Sequence, residues 1–300
     1  MEYILMLVAI IFAAVNSAAL KQFKNKTFRT PGDVFFFNGG VSIVWIFVMG
    51  IWFALEGGGF SAEAALYGIV YALILCLFLY LKTQALATGP VALTTIISSA
   101  AFLIPTLYGA VFWSETIRPA QYAGIALILL SLFMCVNPKK STEKLTPKWF
   151  VYCIAFFFVG GVLGIFYKIF GASSASGNIN FMMLCASVFS SIFFFTFGLS
   201  INGIKKAQPP KLHPAALPYV LLSGIAGCIY IRLNISLAAL IPSAIFFPVS
   251  NGALVLISTA LGFALFKEKL TKLQLYGIFL GCIAIAVTGC GDALITYLFQ

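Results

Sequence analysis

The sequence predicts an all-α integral membrane protein with ten transmembrane helices, arranged as two inverted five-helix repeats. The first observation is composition: of 300 residues, 62% are hydrophobic and 9% are charged, and the mean hydropathy is +1.06. A soluble domain of this composition would expose large apolar surfaces to water. The second is the length of the apolar runs, about 20 residues each, which suits membrane helices rather than the alternating strands of a barrel. The third is an internal repeat.

Polar residues divide the chain into ten apolar runs, each of which predicts one membrane-spanning helix. The first run lacks a basic segment ahead of it and a cleavage site after it, so we expect it to be retained. The connections are short, which places function inside the bundle. The predicted spans are roughly Tyr3 to Leu20, Val34 to Leu55, Ala65 to Thr88, Val91 to Trp113, Ala120 to Val136, Phe150 to Phe170, Phe181 to Leu199, Leu217 to Ala239, Ser243 to Phe266 and Leu273 to Gly289.

The two halves of the chain share a motif at the turn between their fourth and fifth spans. The first copy reads WSETIRPAQYAG from Trp113, and the second reads FKEKLTKLQLYG from Phe266. The glutamate, glutamine and glycine of the two copies are each 153 positions apart. Five spans in each copy is an odd number, so the second copy enters the membrane from the opposite side. We therefore expect a first repeat over 1–137, a cytoplasmic connecting loop over 138–149 and a second repeat over 150–300.

The basic residues predict the orientation of the chain in the membrane. Of the 18 Lys and Arg residues, 15 lie in or beside the loops that follow odd-numbered spans, and only Arg118, Lys168 and Arg232 lie on the opposite side. The positive-inside rule then places the odd loops in the cytoplasm and both termini outside. The net charge of +10 is thus a topology signal. Nucleic-acid binding would need one contiguous basic surface, which these scattered residues do not form, so we expect no nucleic-acid partner.

The chain resembles the drug/metabolite transporter superfamily, in particular its EamA-like ten-span members, over nearly its whole length. The resemblance rests on the two repeats, on the glutamate after each fourth span and on QxxG at the start of each fifth. The segments GPVALTTIISSAAFLIPTLYG and FFPVSNGALVLISTALGFALFKEKLTKLQLYGIFLG are similar to the fourth-fifth and ninth-tenth segments of that family. The resemblance implies small-molecule transport and cytoplasmic termini. The second implication conflicts with the charge bias, so the orientation stays open.

Two matching stretches carry the main candidates for a binding site. YLKTQALA begins at Tyr80 and YIRLNISLA begins at Tyr230, and both place a cation and an amide inside an apolar run. A charge at the centre of a bilayer costs roughly 2.5 to 3.5 kcal/mol, so each cation either lines a cavity or extends its charged end to the membrane surface. Helical phase places the tyrosine and the amide on one face and the cation on another. The candidates from these stretches are Tyr80, Lys82, Gln84, Tyr230, Arg232 and Asn234.

Further polar side chains interrupt other predicted spans. Asn16 lies in the first span, Ser98 in the fourth and Asn251 in the ninth, and we include all three among the candidate substrate-binding residues. Such groups either line a cavity or bond neighbouring helices. Pro105 and Pro248 each remove a backbone donor within a span, which predicts kinks and frees the carbonyls of Ala101 and Ala244. The turn motifs predict helix caps for Gln121 and Gln274, with Pro119 in the first helical position, and a structural role for Glu115 and Glu268.

The predicted function is that of a secondary transporter in the cell membrane of a bacterium. It would move a small polar metabolite, neutral or anionic, by alternating access. Position 16 is Asn, whereas proton-coupled cation exporters of the family resemble one another in a carboxylate on the first helix. The alternatives are an exporter of amines or drugs of the same superfamily, and a scaffold or sensor that transports nothing. We expect no enzyme activity, since buried acids and a buried histidine are missing, and no cofactor.

Overall fold

The structure is a computed structural model that describes residues 1–27, 30–56, 59–89, 91–135, 146–204, 214–266 and 271–298. Within these ranges the regular structure is helical, and no strand occurs. Single short 3₁₀ turns precede the eighth and ninth helices, at Ser174–Asn178 and Pro214–Ala216. The helices are α1 Glu2–Thr27, α2 Pro31–Glu56, α3 Ala62–Thr88, α4 Val91–Ala100, α5 Leu103–Phe112, α6 Pro119–Cys135, α7 Pro147–Gly171, α8 Ile179–Ile204, α9 Leu217–Leu240, α10 Ser243–Phe266 and α11 Lys272–Leu298.

The helices have the length and surface of membrane-spanning segments. In the described part of the chain, nine stretches are long and apolar enough to cross a membrane, and α6 is a shorter apolar helix of 17 residues. Large apolar side chains such as Phe47, Val111 and Phe279 point outward and are about two-thirds exposed in the isolated chain. In water this surface would be costly, whereas lipid covers it favourably. The chain is therefore an all-α, multi-pass membrane protein, as the composition predicts.

The predicted spans fall on observed helices, but α1 and α11 continue to Thr27 and Leu298, beyond the predicted ends, and the fourth span is divided. The predicted span from Val91 to Trp113 is two helices, α4 and α5, separated by a turn at Ala101 and Phe102. Pro105 lacks an amide hydrogen, so it cannot bond the Ala101 carbonyl as a continuous helix requires. That carbonyl is not free, contrary to our expectation, because it accepts a hydrogen bond from the Ile104 amide at 3.2 Å. The other proline, Pro248, lies inside α10, which continues through it.

The chain forms two compact units, and each draws on both halves of the sequence. The first unit consists mainly of Tyr3–Leu79 and Ile169–Ser236, and it contains α1, α2, most of α3, α8 and most of α9. The second consists mainly of Tyr80–Lys168 and Leu237–Gln300, and it contains the end of α3 with α4 to α7, α10 and α11. The predicted repeats, 1–137 and 150–300, therefore do not coincide with the units. The predicted loop 138–149 lies outside the described residues up to 145, and α7 already begins at Pro147.

In the first unit, α2 packs lengthwise against α8. Aromatic side chains fill much of this contact, including a perpendicular pair of Phe36 and Phe195 with ring centroids 5.0 Å apart. Asn202 of α8 closes one end of the pair, because its Oδ1 accepts a hydrogen bond from the Gly32 amide at 3.0 Å. Its Nδ2 donates to Thr30 Oγ1 at 2.9 Å. The α8 side chain thereby satisfies a donor at the start of α2 that the helix itself leaves open.

In the second unit, α6 packs against α11 through small residues. Ser131 donates to the Gly277 carbonyl at 2.7 Å, and Gln274 Nε2 donates to the Cys135 carbonyl at 3.0 Å. Small residues let the backbones of membrane helices approach closely, so that van der Waals packing and interhelical hydrogen bonds hold the helices together.

The helix caps that the turn motifs predict are confirmed. The Thr271 amide donates to Gln274 Oε1 at 3.0 Å, while the Gln274 amide donates to Thr271 Oγ1 at 3.3 Å. In the other copy, the Arg118 amide donates to Gln121 Oε1 at 3.0 Å, and α6 begins at Pro119. These contacts satisfy amide hydrogens that the first turn of each helix leaves unpaired. Glu268 lies outside the described residues.

Candidate functional site

Asn16 lies about midway along α1, where it forms a polar contact with α9. It is 14 residues from the start of α1 and 11 from its end, which places its Cα about 21 Å and about 16 Å from the two ends. Its Oδ1 accepts a hydrogen bond from the Ser223 hydroxyl. Both residues lie within apolar stretches that are long enough to cross a membrane, Glu2–Ala19 and Pro214–Leu240, so this pair provides polar groups between membrane-spanning helices. We use the term mid-helix site for the group formed by Asn16, Ser223, Trp45 and Gly227.

The other two members of the mid-helix site are Trp45 and Gly227, a residue with no side chain. Trp45 of α2 is 6% exposed, and its indole Nε1 is buried with no hydrogen-bond partner in the part of the chain that the structure describes. A Cβ built on Gly227 of α9 would lie 3.4 Å from Asn16 Nδ2 and 3.4 Å from Trp45 Cζ2. The Asn16 amide nitrogen and the Trp45 ring therefore meet over the same glycine. Leaving a buried N–H unpaired costs about 1 to 3 kcal/mol, so this donor requires an explanation.

Arg232, a predicted binding residue, belongs to a second polar group in the first unit. Its Nε donates to Asn180 Oδ1 at 2.8 Å, and its Nη2 lies 3.3 Å from Glu56 Oε1. The guanidinium stacks over Trp52 at 4.1 Å from the ring centroid. Asn180 and Trp52 each donate to the Glu56 carboxylate as well. We term Trp52, Glu56, Asn180 and Arg232 the arginine cluster, in which the cation is neutralised by a carboxylate at the end of α2.

The second unit contains an analogous group around Lys168, which we term the lysine cluster. The Lys168 Nζ forms an ion pair with Glu115 and donates to Ser243 Oγ at 2.7 Å. Glu115 also accepts from the Ser243 amide at 2.7 Å, so it caps the start of α10. Trp113 completes the cluster, with its ring centroid 5.2 Å from the Lys168 Nζ. These contacts connect α7, α10 and the turn between α5 and α6.

The turn that carries Glu115 has an unusual backbone. Ser114 has a φ of 51°, the left-handed region that residues with a Cβ seldom adopt. This turn directs Glu115 toward Lys168 and the first residue of α10. Burial alone would raise the pKa of Glu115, but hydrogen bonds from Lys168 and from the Ser243 amide and hydroxyl outweigh it, so its pKa is lowered. The carboxylate is therefore held in its charged form.

The other predicted site residues divide between the two units. In the first unit, Asn234 is buried and its Nδ2 donates to the Tyr230 carbonyl at 2.7 Å, so its amide serves its own helix. In the second, Asn251 likewise donates to the Phe247 carbonyl at 2.9 Å. Tyr80 forms a side-chain hydrogen bond with Tyr152 of α7. The remaining predicted residues of the second unit, all half-buried, are Lys82, Gln84 and Ser98.

Sequence reasoning missed most partners of the charged residues and all partners of Asn16. The charge bias marks Lys168 only as a cation on the less basic side, and Glu56 directly follows the predicted second span, which ends at Leu55. Both belong to ion pairs, which explains why two of the three cations on the less basic side are tolerated there. The sequence contains one signal for these ion pairs: a glutamate lies at the end of a span on the same side of the membrane as each cation. Trp45 and Gly227 carry no signal of their own, because aromatic and glycine residues are common in membrane helices.

Comparisons with known proteins identify the fold and no family. No protein-family model and no curated protein matches this chain. Among solved structures, the chain is similar to a crystal structure of a protein with a TM-score of 0.73 and 15% sequence identity. The alignment covers 95% of this chain and 97% of the other. At this identity the similarity concerns the fold alone.

Proposed function

We propose that this protein is a secondary transporter that moves a small polar metabolite across a bacterial cell membrane by alternating access. The observation that carries the proposal is the mid-helix site, where Asn16 and Ser223 place polar groups on apolar helices beside the buried indole of Trp45. Polar groups within membrane-spanning segments are costly, and in membrane proteins they commonly mark a substrate pathway. The connections between the described helices are short, so a catalytic or receptor domain would have little chain to form from.

The proposed architecture has ten spans in two inverted repeats, as in the drug/metabolite transporters that the chain resembles. At a rise of 1.5 Å per residue the 17 residues of α6 measure about 25 Å, so a slightly thinned bilayer would accept it as the tenth span. The paired helices also support the duplication. In the predicted repeats α2 corresponds to α8, and α6 corresponds to α11, and these are the helices that pack against each other. Transporters built in this way bind substrate near the membrane midplane.

Counterflow into reconstituted vesicles tests the proposal directly. Vesicles are preloaded with one member of a panel of amino acids, sugars, nucleosides or choline, and uptake of the radiolabelled form is followed. We expect at least one neutral or zwitterionic metabolite to accumulate transiently above equilibrium in vesicles with protein, and not in empty vesicles. Transport of choline alone would favour the amine-exporter alternative. If folded, monodisperse protein shows no counterflow with any member of the panel, the result would favour the scaffold alternative.

An amide substitution links the activity to the mid-helix site. Asn16→Ala should abolish most of the counterflow, because it removes the amide that bonds Ser223 within the mid-helix site. Asn38→Ala is the matched control, since Asn38 also lies in an apolar helix of the first unit, but its amide donates to the Val34 carbonyl of the same helix at 2.7 Å. We expect this control to transport at close to the wild-type rate. Equal activity of both variants would separate transport from the mid-helix site.

A further inference from the structure

We infer that the mid-helix site is a binding subsite for an uncharged hydrogen-bond acceptor, such as the carbonyl or amide oxygen of a neutral or zwitterionic metabolite. This inference rests on the proposed transport function and narrows its substrate class. Three features carry it: an unsatisfied donor, a second donor beside it and the gap at a glycine. The charge balance of the same unit then selects between neutral and anionic ligands.

The unsatisfied donor is the indole N–H of Trp45. The ring is 6% exposed, and its Nε1 is buried without a partner among the described residues. Trp45 lies 14 residues after the start of α2 and 11 before its end, so it is near the middle of that helix. A buried indole N–H normally bonds an acceptor. A ligand oxygen at this position would remove the cost of the unpaired group.

The second donor is the amide nitrogen of Asn16. Since Asn16 Oδ1 accepts from the Ser223 hydroxyl, the Nδ2 side of the amide turns toward Gly227. Asn16 Nδ2 and Trp45 Cζ2 each lie 3.4 Å from a Cβ built on Gly227, and Cζ2 and Nε1 are bonded to the same ring carbon. The Asn16 amide nitrogen and the Trp45 ring are therefore neighbours beside a residue that has no side chain. Two neighbouring N–H groups suit a single acceptor oxygen.

The charge balance favours an uncharged acceptor. Both donors of the subsite are neutral, and Arg232, the cation of the same helix as Gly227, is already bound by Glu56 and Asn180. A phosphate or carboxylate buried at this site would need a compensating charge, because isolated charges are strongly disfavoured at mid-membrane. An amide or carbonyl oxygen needs only the two hydrogen bonds. The expected ligand therefore carries no net charge.

Indole NMR of ¹⁵N-tryptophan-labelled protein in detergent micelles tests this subsite. Trp45→Phe assigns the Trp45 signal by its loss, and Trp52, whose indole donates to Glu56, provides an internal control signal. Acetamide, acetate, inorganic phosphate and choline are titrated separately. We expect acetamide to shift the Trp45 signal saturably and to leave Trp52 unmoved, with phosphate and choline inactive. Acetate acting as strongly as acetamide, or no response to any solute, would overturn the inference.

Two glycine variants test the gap. Gly227→Ala adds a Cβ at ordinary contact distance from Asn16 and Trp45, so folding should be retained while the half-saturating acetamide concentration rises roughly tenfold, as for the loss of one hydrogen bond. Gly50→Ala of α2 is the control, because no atom lies within 4 Å of its added Cβ. An unchanged response in Gly227→Ala contradicts the subsite. If acetamide shifts the Trp45 signal but no counterflow is measured, the transport proposal is refuted and the subsite is retained. If counterflow is measured but the Trp45 signal does not shift, the subsite is refuted and the transport proposal is retained.

Discussion

The arginine and lysine clusters use the same components with different degrees of burial. Each pairs one cation with one glutamate, places a tryptophan ring beside the cation and adds an amide or hydroxyl partner. In the lysine cluster the side chains of Lys168 and Glu115 are 7% and 21% exposed. In the arginine cluster those of Arg232 and Glu56 are 18% and 48% exposed. The comparison shows that two clusters with similar contacts differ in how much stability is lost when one partner is removed. Burial determines the size of that loss.

Physical chemistry predicts the direction of this difference. An exposed ion pair contributes about 0 to 1 kcal/mol, because water solvates each charge nearly as well as its partner does. A buried pair contributes little compared with an apolar replacement, but the loss of one partner leaves a charge that nothing compensates. The lysine cluster should therefore be sensitive to single substitutions and tolerant of paired ones, whereas the arginine cluster should be tolerant of both.

The largest effect is expected from Lys168→Met. This change leaves the Glu115 carboxylate without its cation in a mostly buried position, so the free energy of unfolding should fall by about 3 to 5 kcal/mol. Denaturant titration of the purified protein in detergent measures the loss. The control is the double variant Lys168→Met with Glu115→Gln, which removes both charges and should recover much of the stability. A single variant as stable as wild type would show that the pair is not buried as described.

The next effect is a loss of stability at acidic pH that depends on Glu115. Its pKa is lowered in the folded protein, so it stabilises the fold fully above its ordinary value of 4.5 and loses that contribution as the pH falls through the lowered pKa. Unfolding temperatures measured from pH 7 downward should therefore decline below about pH 4.5 in the wild type. Glu115→Gln should flatten this decline. An equally steep decline in that variant would assign the acid sensitivity to other groups.

A smaller effect is expected from Arg232→Met. Glu56 is about half exposed and keeps its hydrogen bonds from Asn180 and Trp52, so water and these donors compensate for the lost cation. The free energy of unfolding should fall by roughly 1 kcal/mol, as for an exposed pair. The same denaturant titration places this variant beside Lys168→Met. A loss as large as that of Lys168→Met would reverse the ranking of the two clusters.

The smallest effect is expected from the two tryptophan rings. Trp52 lies 4.1 Å from the Arg232 guanidinium carbon and also donates to Glu56, whereas Trp113 lies 5.2 Å from the Lys168 Nζ. Cation–π contacts at exposed sites are worth about 0.5 to 1 kcal/mol, so Trp52→Phe should cost about that much. Trp113→Phe should cost less. Measured in parallel, a greater loss in Trp113→Phe would indicate that Trp113 stabilises the lysine cluster by packing.

The sequence predicts the helices of this protein well because their determinants are local. Apolar runs define the spans, and the caps at Thr271 and Gln121 depend on residues only three positions apart. The break in the fourth span is less local: it lies beside Pro105, whereas Pro248 leaves α10 continuous. Membrane helices of this kind need little information from the rest of the chain, since lipid supplies the apolar surroundings.

The partners within the candidate site depend on distant parts of the chain, so the sequence does not predict them. Glu56 and Arg232 are 176 positions apart, and Asn16 and Ser223 are 207 apart. Helical phase separates Arg232 from the predicted face of Tyr230 and Asn234, but it does not show that Glu56 lies beside the guanidinium. The buried N–H of Trp45 is visible only once three helices are assembled around it.

The left-handed backbone at Ser114 determines which residues a variant can carry next to Glu115. Glycine adopts this conformation at lower cost than serine, and asparagine tolerates it, whereas valine or isoleucine would be strained. A mutational library at position 114 should therefore retain small and turn-forming residues and eliminate β-branched ones, even though the side chain itself makes no ionic contact. Protein engineers who seek a more thermostable form for crystallisation have an entry point here, with Ser114→Gly as the substitution to try first.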